Sequence, residues 1–280
     1  MYRIVALAIA GAAAVSAASA LTVERMAMQE FEDGPLLPAS YEFLPGEAAH
    51  FICRLGGYQI DKTDEDNQRV KLSWKVEVFD PAGIPLEKPK SGTIEGRVLP
   101  EDKNWVPKFL AGFMIPPFAP SGDYKVSVQA KDEVGSSELR EDLVFHVRGH
   151  DAQPSSTLIV RNFHFQRGET DSLALREPVY RAGDMLWARF DIVGYKLGDN
   201  NRYSVDYGLA VEDSAGKRLF AQPEAAAESH ESFYPQIVVP GQLSLSLAKN
   251  VVPAAYTLVV TVHDKIGNQT WEERREFQVQ

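Results

Sequence analysis

The stretch from Pro120 to Gly135 reads PSGDYKVSVQAKDEVG, and the stretch from Val252 to Asn268 reads VPAAYTLVVTVHDKIGN. In the first, the residues at every second position from Tyr124 to Ala130 are apolar and alternate with lysine, serine and glutamine. A period of two is typical of a β-strand with one buried and one solvated face. Aspartate and glycine follow, and both favour tight turns. Each stretch therefore predicts a strand that enters a hairpin.

The two stretches belong to a longer duplication. The motif Gly57-Tyr58-x-Ile60 recurs as Gly194-Tyr195-x-Leu197, Val78-x-Asp80-x-x-Gly83 recurs as Val211-x-Asp213-x-x-Gly216, and both copies close on Phe-x-Val. The sequence therefore predicts two copies of one domain, over residues 21–148 and 157–280, with a polar linker at residues 149–156. Each copy has ~120 residues, enough to bury a core of its own.

The fold class follows from the spacing of strands and turns. Short alternating runs are separated by turn sequences such as Asp80-Pro-Ala-Gly83 and Asp213-Ser-Ala-Gly216. No long segment has the 3.6-residue period of an amphipathic helix, and Ala221–Ser232 is interpreted as a loop between strands. The prediction is an all-β chain of two tandem antiparallel β-sandwiches.

The two quoted stretches resemble the closing hairpin of bacterial immunoglobulin-like domains, which commonly reads P-x-G-x-Y, then an alternating strand, then D-x-x-G-N. The second copy has Ala254-Ala255 where glycine is usual, and the first has Ser136 where asparagine is usual. The resemblance implies an immunoglobulin-like sandwich with the tyrosine packed at its corner. Such domains serve as stalks, adhesion modules, carbohydrate-contacting modules and enzyme appendages, so the resemblance implies architecture only.

The first twenty residues predict the compartment. They combine a basic start at Arg3, an apolar run from Ile4 to Val15 and a small-residue site ending at Ala20, the pattern of a secretory signal peptide. The apolar run is shorter than the ~20 residues that cross a bilayer, so we expect no membrane anchor. The chain is predicted to be exported, to the periplasm or outside the cell.

Composition limits the partners. The formal net charge of -10 disfavours nucleic acid and anionic membranes, because both attract clustered lysine and arginine. The single cysteine, Cys53, excludes an intramolecular disulfide. It lies within the alternating Phe51-x-Cys53-x-Leu55, which favours a place in the core over a reactive thiol. The oligomeric state stays open.

One acidic loop is a candidate calcium site. Asp61, Asp64, Glu65 and Asp66 concentrate four carboxylates after Gly57-Tyr58, and Ca²⁺ takes six to eight oxygen ligands. The loop lacks the D-x-D-x-D-G spacing, so the alternative is a solvated acidic loop. No other cofactor is predicted, since the histidines are scattered and zinc requires clustered ligands.

Two aromatic clusters are candidate ligand-binding sites. Trp105-Val-Pro107-Lys-Phe109 aligns with Phe233-Tyr234-Pro235, so each copy places an aromatic residue two positions before a proline. Exposed aromatic rings at loop tips stack on sugars or anchor protein partners. The candidates are therefore Trp105, Phe109, Phe233 and Tyr234. The alternative is that these rings fold back over the ends of the sandwiches.

Known catalytic signatures are missing from the sequence: it contains no G-x-S-x-G, no H-E-x-x-H and no glycine-rich phosphate loop. The sequence therefore favours a non-enzymatic exported binding or structural module of the bacterial cell envelope, with an envelope or secreted protein, or a glycan, as its partner. Two alternatives remain open: a carbohydrate-binding protein that uses Trp105, Phe233 and Tyr234, and an accessory or inhibitory subunit of a secreted enzyme.

Overall fold

In a computed structural model of the chain, the residues described are 20–61, 68–99, 102, 105–151, 153–171 and 173–280. They form sixteen β-strands, eight in each copy. In the first domain these are β1 (Thr22–Gln29), β2 (Glu42–Phe43), β3 (Ala48–Gly56), β4 (Arg69–Phe79), β5 (Lys90–Arg97), β6 (Lys108–Met114), β7 (Gly122–Asp132) and β8 (Glu138–Val147). In the second they are β9 (Ile159–Gln166), β10 (Val179–Tyr180), β11 (Met185–Val193), β12 (Tyr203–Glu212), β13 (Arg218–His230), β14 (Val238–Ser246), β15 (Ala254–Asp264) and β16 (Gln269–Val279).

The strand order is the same in both domains. A three-stranded sheet β1-β3-β6 faces a five-stranded sheet β2-β8-β7-β4-β5, and β9-β11-β14 faces β10-β16-β15-β12-β13 in the same way. The pairs are antiparallel except at the two-residue strands, where β2 runs parallel to β8 and β10 runs parallel to β16. The predicted all-β fold of two immunoglobulin-like sandwiches is confirmed.

Each sandwich buries its own core between its two sheets. The cores contain the alternating apolar residues of β7 and β15, which the sequence assigned to the buried face. The tyrosine that opens each of these strands lies at the sandwich corner. Tyr124 Oη donates to the carbonyl of Pro120 at 2.9 Å, and Tyr256 Oη donates to that of Val252 at 2.7 Å. Both domains thus contain the tyrosine corner of this fold.

The prediction of a loop over Ala221–Ser232 was wrong. Most of that segment lies in β13 (Arg218–His230), an edge strand that pairs only with β12 among the described residues. Its side chains are exposed except for Ala225 and Ala226, which are half-buried against the core, so no apolar alternation marks it in the sequence. Pro223 is accommodated where the register between β12 and β13 shifts, as expected for proline in an edge strand.

One sequence prediction concerns residues that lie almost wholly outside the described part of the chain. The predicted signal peptide covers residues 1–20, of which 1–19 lie outside the described residues. Within the described part of the chain, no helix is both long enough and apolar enough to cross a bilayer.

Candidate functional site

Trp105 lies at the end of the first domain farthest from the second. It precedes β6, and its ring meets that of Tyr58 edge-on, with centroids 6.1 Å apart. Tyr58 Oη donates a hydrogen bond to the carbonyl of Trp105 at 3.1 Å. The indole remains 38% exposed. Among the four aromatic candidates, Trp105 is therefore one that keeps an accessible ring.

Phe109 lies in the core and not at a loop tip. It is the second residue of β6, is buried, and stacks on Trp74 at 4.4 Å with the two rings nearly parallel. A ring in that position is not available to a ligand, so we withdraw Phe109 from the candidate set. The apolar residues Phe109, Ala111 and Phe113 alternate along β6 and all face inward.

Tyr234 joins the two domains. Its loop precedes β14 in the second domain, yet its ring packs against the core of the first. Tyr234 Oη donates to Oδ2 of Asp80 at 2.8 Å. The other oxygen of Asp80 accepts the backbone N–H groups of Ala82 and Ile84, which holds the turn between β4 and β5. Burial raises the pKa of Tyr234, and the carboxylate of Asp80 raises it further, so the phenol stays a neutral donor.

Phe233 lies beside this contact. It is 48% exposed and lines a cavity of about 270 Å³ at the domain junction, together with Leu86, Met114 and Phe118 of the first domain. Its loop is held by Asn201, whose side-chain amide donates to the carbonyls of Ser232 and Phe233. Roughly 20 Å of strand β6 separates this end of the domain from Trp105, given ~3.3 Å per residue. Phe233 and Trp105 therefore do not form one aromatic surface.

The strand register also corrects the alignment of the two aromatic motifs. Phe109 pairs with Cys53 and Gly241 pairs with Phe190, so positions 109 and 241 correspond. Counted back from those positions, Trp105 lies four residues away and Phe233 lies eight, so the two motifs do not occupy matching places.

A second contact fixes the junction through the segment predicted as the linker. His150 pairs with Pro120 of the first domain in a parallel bridge, and its N–H donates to Ala119. Its Nε2 lies 3.1 Å from Oδ2 of Asp191 on β11 of the second domain. Asn162 donates to the same oxygen at 2.7 Å. The two domains are thus connected at two separate points.

Only part of the acidic loop is described. Asp61 pairs with Arg69 through backbone hydrogen bonds in both directions, at 2.9 and 3.0 Å. Asp64, Glu65 and Asp66 lie outside the described residues. Within the described ranges, no cluster of three or more histidine, cysteine, aspartate or glutamate side chains is arranged to hold a metal ion. The calcium site stays a prediction.

An open apolar cleft lies at the far end of the second domain. We call it the second-domain cleft; it has a volume of about 440 Å³ and opens between the edges of the two sheets. Its walls include Val211, Leu219, Phe220, Leu247, Val251 and Tyr256. Leu219 and Phe220 are 51% and 45% exposed. The sequence analysis did not identify this cleft, although the apolar pair Leu219-Phe220 begins three residues after the Asp213–Gly216 turn, at the start of β13.

Comparisons with known proteins give no family. No protein-family model matches the sequence, and no curated protein is similar to it. Two solved structures are similar over most of the chain, each at 9% identity: the C-terminal domain of the Streptococcus agalactiae antigen I/II polypeptide BspA covers 90% of this chain and 99% of its own, with a TM-score of 0.29. The C-terminal domain of the Streptococcus pyogenes antigen I/II-family protein AspA covers 94% of this chain and 99% of its own length, with a TM-score of 0.31.

A third similar structure is a family 123 glycoside hydrolase from Clostridium perfringens, at 12% identity and a TM-score of 0.29, covering 44% of this chain and 27% of that enzyme. Likenesses of this size carry no argument about function. The fold assignment rests on the strand order and cores described above.

Proposed function

We propose that the protein is a non-enzymatic, exported module of the bacterial cell envelope that binds a protein partner through the second-domain cleft. The observation that carries this proposal is the cleft itself, where Leu219 and Phe220 remain about half exposed beside the buried core residues Leu247 and Tyr256. Apolar pockets with exposed rims are typical of sites where a partner inserts an anchoring side chain.

The domain junction supports this role. Tyr234 on Asp80 and His150 on Asp191 connect the two sandwiches at separate points, so the second domain is presented in a defined direction. The leader pattern in residues 1–20 and the net charge of -10 agree with an exported protein that binds neither nucleic acid nor anionic lipid.

A protein partner is favoured over a glycan for a geometric reason. Sugar-binding surfaces on sandwiches rely on exposed rings, and Trp105 and Phe233 stand at opposite ends of the first domain. Nine of the twelve residues that line the second-domain cleft are apolar, six of them aliphatic and three aromatic, and such a lining suits an apolar anchor better than a hydroxylated ring.

Site-specific photocrosslinking in the producing cells tests the proposal. A photoreactive residue at Leu219 is expected to give a discrete adduct of protein mass, which a second substitution, Val251→Asp in the cleft wall, abolishes. The same photoreactive residue at Val144, an equally exposed apolar position on β8, is the control and should give no such adduct. If Leu219 gives no adduct, or if the adduct survives Val251→Asp, the cleft is not the binding site.

A further inference from the structure

The first domain shows how a cleft of this kind is filled. Leu86 follows the Asp80–Gly83 turn and is only 5% exposed. It lines the junction cavity together with residues of the loop between β13 and β14, which carries Tyr234. Tyr234 packs on the first core and bonds to Asp80. The cleft of the first domain is therefore covered by the opposite end of the next sandwich.

The second domain repeats the same parts without the cover. Leu219 aligns with Leu86, yet it is 51% exposed where Leu86 is 5% exposed. Asp213 aligns with Asp80, and its Oδ1 accepts the N–H groups of Ala215 and Lys217, as Oδ1 of Asp80 accepts those of its own turn. No hydroxyl of the described residues reaches Oδ2 of Asp213, the oxygen that corresponds to the one Tyr234 occupies on Asp80.

The free end of the first domain corresponds to the end that carries Tyr234. In both domains a tyrosine hydroxyl supports the loop before the matching strand: Tyr58 donates to Trp105, and Tyr195 donates to Gln236 at 2.6 Å. In the second domain this supported loop presents Tyr234 to its neighbour. In the first it presents Trp105, which touches no other domain among the described residues.

From these observations we infer that the second-domain cleft binds the Trp105 end of a second copy of this chain, so that copies associate head to tail. The inference rests on the proposed function, and it identifies the protein partner of the cleft as a second copy of this chain. It brings together, between chains, the same two ends of the sandwich that meet at the junction within one chain. Such an interface joins two different surfaces, so each copy keeps one free end and the chain of copies can extend.

Sedimentation of the purified exported chain at increasing concentrations tests the inference. The average mass of the native chain is expected to rise with concentration. Leu219→Glu places a charge in the cleft and Trp105→Ala removes the anchor, so each variant should stay monomeric. Both positions are exposed, which limits any effect on folding. Val144→Glu introduces the same charge at a matched exposed position outside the cleft and should associate like the native chain.

Mixing the two variants distinguishes head-to-tail contact from other forms of self-association. Leu219→Glu keeps an intact Trp105 end, and Trp105→Ala keeps an intact cleft. In the mixture, only the Trp105 end of the Leu219→Glu variant and the cleft of the Trp105→Ala variant can bind each other. The mixture should therefore form a dimer of one copy of each variant and nothing larger.

A chain that stays monomeric at every concentration overturns the inference, as does association that survives either substitution. The crosslinking experiment at Leu219 separates this failure from that of the proposed function. An adduct with a different protein, without self-association, leaves the proposed function standing and rejects the second copy as the partner. If Leu219 gives no adduct and the chain does not self-associate, both the proposed function and the head-to-tail association are rejected.

Discussion

At the scale of single residues, each domain has one cross-strand pair in which a single aromatic ring fills the core space of both positions. Cys53 lies opposite Phe109, and in the second domain Phe190 lies opposite Gly241. Directly paired residues face the same side of a sheet. A Cβ on residue 241 would lie 2.2 Å from Cε2 of Phe190, so that ring occupies the space a side chain would need. The large and small residues have changed places between the copies.

This exchange predicts strong coupling between residues 53 and 109. Phe109→Gly should destabilise the first domain by at least the ~3–5 kcal/mol typical of Phe→Ala, because it leaves a cavity. Cys53→Phe should cost ~1–3 kcal/mol by overpacking. The double variant recreates the arrangement of the second domain and should be more stable than Phe109→Gly alone. Urea unfolding of the three variants measures this, and additive losses would contradict it.

Cys53 itself is predicted to be chemically inert in the folded protein. It is fully buried, and burial raises the pKa of its thiol to about 12. Since the thiolate is the reactive form, a disulfide reagent in mildly alkaline buffer should label the native chain only as fast as the first domain unfolds. The chain in denaturant is the positive control. Rapid labelling under native conditions would show that the thiol is accessible.

The sequence predicted that Cys53 is buried in the core but not that Phe109 is buried there. Cys53 lies in the middle of an alternating run, where the period of two assigns its face. Phe109 lies close to the start of β6, two residues after Pro107. Whether such a residue belongs to the loop or to the strand depends on where pairing with β3 begins, at Lys108 opposite Arg54. That register is a tertiary property, and the local pattern does not contain it.

At the scale of elements, strands with one wet face were predictable and the edge strand was not. The strands β4 and β7 carry the alternation that one buried face imposes, whereas β12 is buried on both faces. Strand β13 is exposed over most of its length and is specified by its pairing with β12, so its sequence resembles that of a loop. The backbones of these two strands approach closely at Gly208, where a Cβ would lie 2.0 Å from the carbonyl oxygen of Pro223.

Gly208→Ala is therefore expected to weaken the pairing of β12 with β13. The backbone oxygen cannot move aside as a flexible side chain would, so the strands must separate locally at a cost of ~1–3 kcal/mol. Thermal unfolding of the second domain should shift downward. Gly96→Ala on β5 is the matched control, because a Cβ added there would meet no atom within 4 Å and its backbone is extended. Equal effects of the two substitutions would contradict the close approach.

At the scale of the whole molecule, the sequence predicted two copies and a polar connection but not how the copies meet. Tyr234 was a candidate for ligand binding because it is an aromatic residue in a loop. Its partner is instead Asp80, 154 residues away along the chain. That pairing depends on the docking of two folded domains, and it uses the turn aspartate that both copies share. The duplicated Asp213 has the same local role, so only its surroundings distinguish a filled cleft from an open one.

The junction leads to a prediction about the motion of the domains. Tyr234→Phe removes the hydroxyl and leaves Oδ2 of the buried Asp80 without its donor, and hydrogen bonds to charged groups contribute about 1.5–3 kcal/mol. The variant should keep both sandwiches folded but show a wider distribution of interdomain distances between spin labels, one in each domain. Tyr58→Phe removes a comparable tyrosine bond at the free end of the first domain and should leave that distribution unchanged. A Tyr234→Phe distribution as narrow as that of the native chain would mean that the other contacts of the junction, including that of His150 with Asp191, hold the domains without this bond.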